Sequence, residues 1–281
     1  MYVQKHQNIR IQHAGIKGMK NDKANRTNRL KDNYFISGLK EPRQDPIIIA
    51  GFPRSGTTLV QANLATQENI VSFPETHFFE RVYRVVGRNE EISTKSLGGV
   101  IKCINRRSVL SIDAENAIFH LAKKGELTKK FLFEIVVMDN LRSQVPLAYL
   151  SEKKWLEKTP YNEHFFEIFH KYYPNAKFIY VVRNPEKCIL SKRRYMMQWN
   201  RNAGFKPVEV YAEDWQKSLT LAEQFKSNKP EKLIIVKFEQ FIKNTEEMMG
   251  SICDFLGIKF EPEYLQSRQA VAKLMVLDWE H

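Results

Sequence analysis

The sequence predicts an α/β domain of three layers, with a central parallel sheet of about five strands and helices on both faces. Three observations carry this. The apolar runs Ile47-Ile48-Ile49-Ala50, Phe178-Ile179-Tyr180-Val181-Val182 and Leu233-Ile234-Ile235-Val236 are continuous rather than alternating, as strands buried on both faces are. Helical stretches separate them, the order that parallel strands need for their crossovers. A chain of 281 residues is also long enough to bury a sizeable core in one large domain.

Taken in order, residues 1–45 carry ten Lys/Arg against four Asp/Glu with little periodicity, and read as a loosely ordered basic arm. A short strand at Tyr34-Phe35-Ile36 is expected near its end. The first core strand follows from Pro46, then a helix from Thr57 to Leu64. Ile70-Val71-Ser72-Phe73 reads as a second strand, and residues 112–144 as two helices, the second from Leu127 to Leu141. Lys154 to Lys158 is a short strand stopped by Thr159-Pro160, which are expected to cap and open a helix from Tyr161 to Tyr172. After the strand at 177–182, Asn184-Pro185 supplies an N-cap and first-turn proline for a helix to about Trp199. A helix from Val208 to Phe225, the strand at 233–236, and a helix from Glu246 to Leu256 stopped by Gly257 complete the domain, 46–281.

Lys plus Arg number 44 against 32 Asp plus Glu, a net charge of +12. Such a balance suits nucleic acid, but the aromatic residues fall in apolar runs such as Phe165-Phe166 and Tyr172-Tyr173 instead of interleaving with cations. A small polyanionic ligand explains the charge equally well, and no nucleic-acid partner is expected. Cys103, Cys188 and Cys253 form no C-x-x-C pair, the usage of a reducing compartment. No apolar stretch approaches the ~20 residues of a membrane span and no signal core is visible, so a cytoplasmic location is expected.

The most informative stretch is Gly51-Phe52-Pro53-Arg54-Ser55-Gly56-Thr57-Thr58, between the first strand and the first helix. A strand, a tight loop and a helix N-terminus make an anion cradle, because the first helical N–H groups have no intrahelical partner. The spacing matches the phosphate loop G-x-x-x-x-G-K-[ST] at both glycines and at Thr58. It departs at the lysine that reaches the terminal phosphates of a nucleoside triphosphate, which is Thr57 here. The cation stands inside the loop instead, as Arg54.

Pro53 to Thr58 resembles the 5′-phosphosulfate-binding loop of sulfotransferases that use 3′-phosphoadenosine 5′-phosphosulfate (PAPS). The arginine version is similar to the branch containing the tyrosylprotein sulfotransferases and many bacterial relatives. The resemblance covers about residues 46–260 and implies a P-loop-kinase-like fold, with Ser55, Gly56, Thr57 and Thr58 on the 5′-phosphate. Tyr180-Val181-Val182-Arg183-Asn184-Pro185, with Ser191 eight residues past the arginine, looks like the 3′-phosphate motif of the same family. Arg183 offers a bidentate donor and Ser191 a hydroxyl about two turns into the helix. Lys192-Arg193-Arg194 reads as a solvated helix face.

In that branch a glutamate after the second strand is the general base, and by motif order this is Glu75 in Phe73-Pro74-Glu75-Thr76-His77. His77 is the rival base; in an extended segment it shares a face with Glu75. An ordinary helix-start charge is the plain alternative for Glu75. Glu157-Lys158-Thr159-Pro160 resembles the segment with the catalytic lysine, so Lys158, with Arg54, is expected to stabilise charge on the transferring group. Phe238 replaces a tyrosine that usually packs at the adenine, and keeps only its stacking face.

The implied reaction is sulfuryl transfer from PAPS to an acceptor hydroxyl of a small molecule, natural product or glycan, releasing 3′-phosphoadenosine 5′-phosphate (PAP). PAPS carries about four negative charges, which fits the basic balance. No metal is required in this scheme, since the chain's own cations take the place of the Mg²⁺ that kinases use. A P-loop kinase of a small molecule and a non-catalytic nucleotide or nucleic-acid binder are the alternatives. The acceptor side is expected within residues 78–150 and 195–215, where Phe78, Phe79, Tyr195, Met196, Met197 and Trp199 read as core before they read as a substrate wall.

Overall fold

The computed structural model describes residues 45–83, 90–106, 109–144, 153–199 and 206–265. The basic arm with its expected strand at 34–36, the side chain of Trp199 and the last sixteen residues lie outside them.

Five strands form one parallel sheet: β1 (Ile47–Ala50), β2 (Ile70–Ser72), β3 (Lys154–Lys158), β4 (Lys177–Val182) and β5 (Leu233–Lys237). Their order across the sheet is β2-β3-β1-β4-β5, which puts β1 at the centre. Ile49 pairs with Lys158 on one side and Ile179 on the other, and Val182 pairs with Lys237. The carboxyl ends of β1, β3, β4 and β5 thus share one edge of the sheet, where ligands of open parallel sheets collect.

The continuous apolar strands are buried on both faces because alternate side chains enter two separate cores. Ile47, Ile49, Ile179 and Val181 pack against α1 (Thr57–Ala65). Farther along, the same core takes in Phe238 and Phe241 of one short helix and Met249 and Ile252 of the next. Ile48, Ala50, Phe178 and Tyr180 face a larger core. It is built by α2 (Leu97–Asn105), α3 (Ile112–Lys124), α4 (Lys129–Gln144), α5 (Phe166–Tyr172) and, beyond α6 (Pro185–Trp199), part of α7 (Val208–Asn228). The two C-terminal helices that flank the first core are α8 (Phe238–Lys243) and α9 (Thr245–Leu256).

The caps follow the chemistry of their residues. Ser111 accepts the Ala114 N–H at the start of α3, Gly125 ends that helix at φ 71°, and Gly257 ends α9 at φ 66°. Three elements differ from the sequence expectation. Residues 78–83 form a π-helical turn, and α2 is a helix not expected above, although Leu97, Val100, Ile101 and Ile104 recur there at helical spacing. The helix expected from Tyr161 instead begins as a 3₁₀ turn, Asn162–Phe165, with Tyr161 left-handed at φ 69°. The physical reason is that the Thr159 hydroxyl does not cap; it donates to the buried Glu157 carboxylate at 2.6 Å.

Candidate active site

The loop after β1 is shaped by its glycines. Gly56 sits at φ 96°, and a Cβ there would lie 2.2 Å from the Phe238 ring, so only glycine lets α8 close over the loop. At Gly51 a Cβ would meet the Val181 carbonyl oxygen at 2.6 Å. No side chain caps α1, and its first turn carries no acidic residue, which leaves its N–H groups and positive dipole end for an anion. Thr57 is buried and Thr58 half-buried at that end.

Arginine side chains reach the loop from two directions. Arg54 is exposed at φ 73°, and its Nε donates to Ser191 Oγ at 3.1 Å while its guanidinium lies 5.5 Å from the Tyr195 ring. Arg183, just past β4, donates from Nη1 to the Arg54 carbonyl at 3.0 Å and lies over the Phe238 ring at 4.7 Å. Its Nε is buried with no hydrogen-bond partner. Ser55 is fully buried and faces Cys188 Sγ at 3.5 Å, so its hydroxyl is spent inside the fold. The two loop motifs, remote in sequence, therefore meet as one cationic rim. An orphaned arginine N–H and a glycine-lined cradle fit a nucleotide bearing phosphates at both ends.

The other half of the site is a chain of charges. Lys158 ends β3 with its ammonium donating to Thr58 Oγ1 at 3.2 Å and to Glu75 Oε1. Glu75 Oε2 meets His77 Nε2 at 3.0 Å, and His77 Nδ1 meets Glu80 Oε2 at 3.0 Å. Burial pushes the Glu75 carboxyl up, but the His77 hydrogen bond and the Lys158 ammonium outweigh it and bring it down to about 2. For His77, burial opposes the charged form while Glu75 and Glu80 favour it, and the net shift is upward. Glu75 and His77 do face one another, but they are bonded to each other, Glu75 Oε2 to His77 Nε2, instead of standing as independent bases.

Beneath this pair lies a network that the motifs did not point to. Glu157, fully buried beside Lys158, accepts from Thr76 Oγ1 at 3.0 Å, from Thr159, and from Asn162. Burial raises its carboxyl in spite of these donors. It ties the residue after Glu75 to the residue after Lys158. Its signal in the sequence was an acidic residue between Leu156 and Lys158 of the short strand Lys154–Lys158.

Lys192 departs from the solvated face expected of it. It is half-buried, donates to the Tyr161 hydroxyl at 2.7 Å and lies 4.6 to 5.2 Å from the rings of Phe52, Tyr161 and Tyr211. Burial brings its ammonium down to about 8. Phe78 and Phe79 are core, 1% and 2% exposed, whereas Met197 is 54% exposed. Phe238 is only 5% exposed, wedged between Gly56 and Arg183. Among the described residues no cluster of His, Cys, Asp and Glu is arranged to hold a metal ion, and no helix is long and apolar enough to cross a membrane.

A parallel sheet with an anion loop after its central strand, flanked by arginine and lysine at the neighbouring strand ends, defines a phosphate-binding α/β domain of the P-loop-kinase-like class. Residues 46–262 match the Sulfotransferase family, and the chain belongs to that family. It is 24% identical over 247 residues to a protein-tyrosine sulfotransferase of Drosophila melanogaster. That alignment covers 82% of this chain and 42% of the fly protein, so the chain spans less than half of its relative. Among solved structures, the sulfotransferase domain of the curacin biosynthetic pathway is 26% identical with a TM-score of 0.54, over 79% of this chain and 77% of that one. The sulfotransferase domain of the Synechococcus PCC 7002 olefin synthase is 19% identical with a TM-score of 0.55, over 81% and 80%.

Proposed function

We propose that the protein transfers a sulfuryl group from PAPS to a hydroxyl of a small-molecule or glycan acceptor. The observation that carries this reading is Lys158, whose ammonium joins Thr58 of the anion loop to the carboxylate of Glu75. It stands between the place for an anionic donor and a group able to take a proton. PAPS, when bound, supplies the activated sulfuryl group on its 5′-phosphate.

In this reading the N–H groups of Gly56, Thr57 and Thr58 bind the 5′-phosphate, Ser55 holds the loop from inside through Phe52 and Cys188, and Arg183 with Ser191 binds the 3′-phosphate. Arg54 and Lys158 stabilise the charge that develops as the bond from sulfur to the phosphate oxygen breaks and the bond to the acceptor oxygen forms. Glu75 takes the hydroxyl proton. His77 is the weaker candidate for that task, because two carboxylates hold its proton on. As long as Lys158 pairs with it, Glu75 is a feeble base; a lysine drawn to an anion leaves the carboxylate with His77 alone and raises its proton affinity. Phe238, buried against Gly56, supports the loop, and its remaining edge is what an adenine could meet.

The test is incubation with isotopically labelled PAPS and a panel of hydroxylated acceptors, read by mass spectrometry for an added sulfuryl group. Calorimetry with PAP and with ATP–Mg²⁺ separates this from a kinase. Tighter binding of ATP–Mg²⁺ than of PAP would overturn the proposal.

A further inference from the structure

Glu163 lies in the 3₁₀ turn after β3, with its side chain fully buried. One carboxylate oxygen accepts the N–H of Gly51, the first residue of the anion loop, at 3.2 Å. The other accepts the Ser218 hydroxyl of α7 at 2.5 Å, and Ser218 in turn meets the Tyr180 hydroxyl of β4 at 2.8 Å. The titratable groups around it are His164, whose Nε2 is 4.0 Å from Oε1, and Tyr161 and Tyr180, whose phenols it helps to hold protonated. Burial outweighs the hydrogen bonds from Ser218, from its own backbone and from Gly51, and moves the Glu163 carboxyl up to about 7.

This network can serve either charge state without losing a hydrogen bond. With Glu163 ionised, Ser218 donates to it and Tyr180 donates to Ser218. With Glu163 protonated, the acid donates to Ser218, which then donates to Tyr180. The second oxygen keeps the Gly51 N–H in both states. A side chain so placed is well suited to respond to charge in the loop above it.

We propose that Glu163 couples donor binding to proton uptake: the buried carboxylate held to Gly51 gains a proton when a phosphorylated nucleotide fills the loop. The inference rests on the donor-site reading given above. Like charges repel, and a negative charge ~10 Å away at an effective dielectric constant of about 20 raises a carboxyl pKa by about one unit. By linkage, donor affinity then falls by about 10-fold as pH rises through the neutral range, over and above the titration of the nucleotide's own phosphates.

The experiment is PAP binding by calorimetry from about pH 6 to pH 8.5, comparing wild type with Glu163→Gln. The glutamine donates to Ser218 and accepts from Gly51 as the protonated acid would. We expect equal affinities at the acid end and about 10-fold tighter binding by the variant at the alkaline end. Infrared difference spectra at about pH 7.5 are expected to gain a protonated-carboxyl band when PAP is added to wild type, and none with Glu163→Gln. If that variant does not fold, Ser218→Ala, which removes a donor to the carboxylate, is expected to move the midpoint of the pH profile upward. PAP binding with identical pH profiles, no infrared band or an unmoved midpoint overturns the linkage alone. Absence of PAP binding at every pH overturns the donor-site reading and the linkage together.

Discussion

Glu75 is held ionised by its His77 hydrogen bond and the Lys158 ammonium, and that pairing decides what its replacement does. Glu75→Gln keeps the size of the side chain and a hydrogen-bond acceptor for Lys158 but removes the proton acceptor. Turnover is expected to fall by ~100-fold or more while PAP affinity, measured by calorimetry, stays nearly unchanged. Arg183→Ala has the opposite signature. Loss of a charge-assisted contact to the 3′-phosphate is expected to weaken PAP by roughly 2–3 kcal/mol and to leave adenosine 5′-phosphosulfate, which lacks that phosphate, little affected. Equal losses for both nucleotides would remove Arg183 from the 3′-site. The residues carrying these predictions were legible in the sequence because each follows a strand within a spaced motif. Glu157 and Glu163 were not, since their roles come from neighbours 55 to 112 residues away or from burial that no local pattern reports.

At the scale of elements, three strand ends are shaped by unusual backbone. Among the described residues the non-glycine positions with positive φ are Arg54 at 73°, His77 at 50° and Tyr161 at 69°, following β1, β2 and β3. Such conformations cost on the order of 1–3 kcal/mol each and persist where the surroundings hold them. Gly56 shows what the surroundings demand. Gly56→Ala places a methyl group within the Phe238 ring at a φ of 96°, and a loss of about 1–3 kcal/mol in stability is expected by denaturant titration. Adding Phe238→Ala is expected to return part of that loss, by removing the clash but not the backbone strain. No recovery in the double variant would show that the backbone alone sets the cost. The strands were readable because continuous apolar runs have few other uses. The π-helical turn at 78–83 was not, because tertiary packing around Phe78 and Phe79 decides it, whereas α2 carries a helical apolar face at Leu97, Val100, Ile101 and Ile104 that Gly98-Gly99 disguise.

For the whole molecule, the lowered carboxyl of Glu75 and the raised carboxyls of Glu157 and Glu163 pull stability in opposite directions with pH. Glu75 titrates lower in the folded chain than in the unfolded one, so its contribution is present above pH ~4.5 and is lost as pH falls towards 2. Partial exposure screens that contribution to on the order of 1 kcal/mol. Glu163 titrates higher when folded, from 4.5 to about 7, so its contribution is present below pH ~4.5 and is lost as pH rises through 7. The full shift corresponds to on the order of 3 kcal/mol. Urea denaturation across pH is therefore expected to show stability declining between pH 5 and 7.5 in wild type, and a flatter profile in Glu163→Gln. A variant with an undiminished slope would place the alkaline loss elsewhere.

The strand order has a practical corollary for anyone wishing to redesign the chain. Because β1 is central, the two arginines gather on its β4 side while Glu75, His77 and Glu80 lie on its β3 side. The segment that continues from Glu80 feeds the helical block α2–α4, which rests on one core and shares none of its buried side chains with α1, α8 or α9. In the proposed reading, cofactor recognition and choice of co-substrate fall to separate halves of one framework. Transplanting residues 78–144 from a relative of different acceptor preference should yield hybrids that exchange target selectivity while retaining the recipient's affinity for PAP.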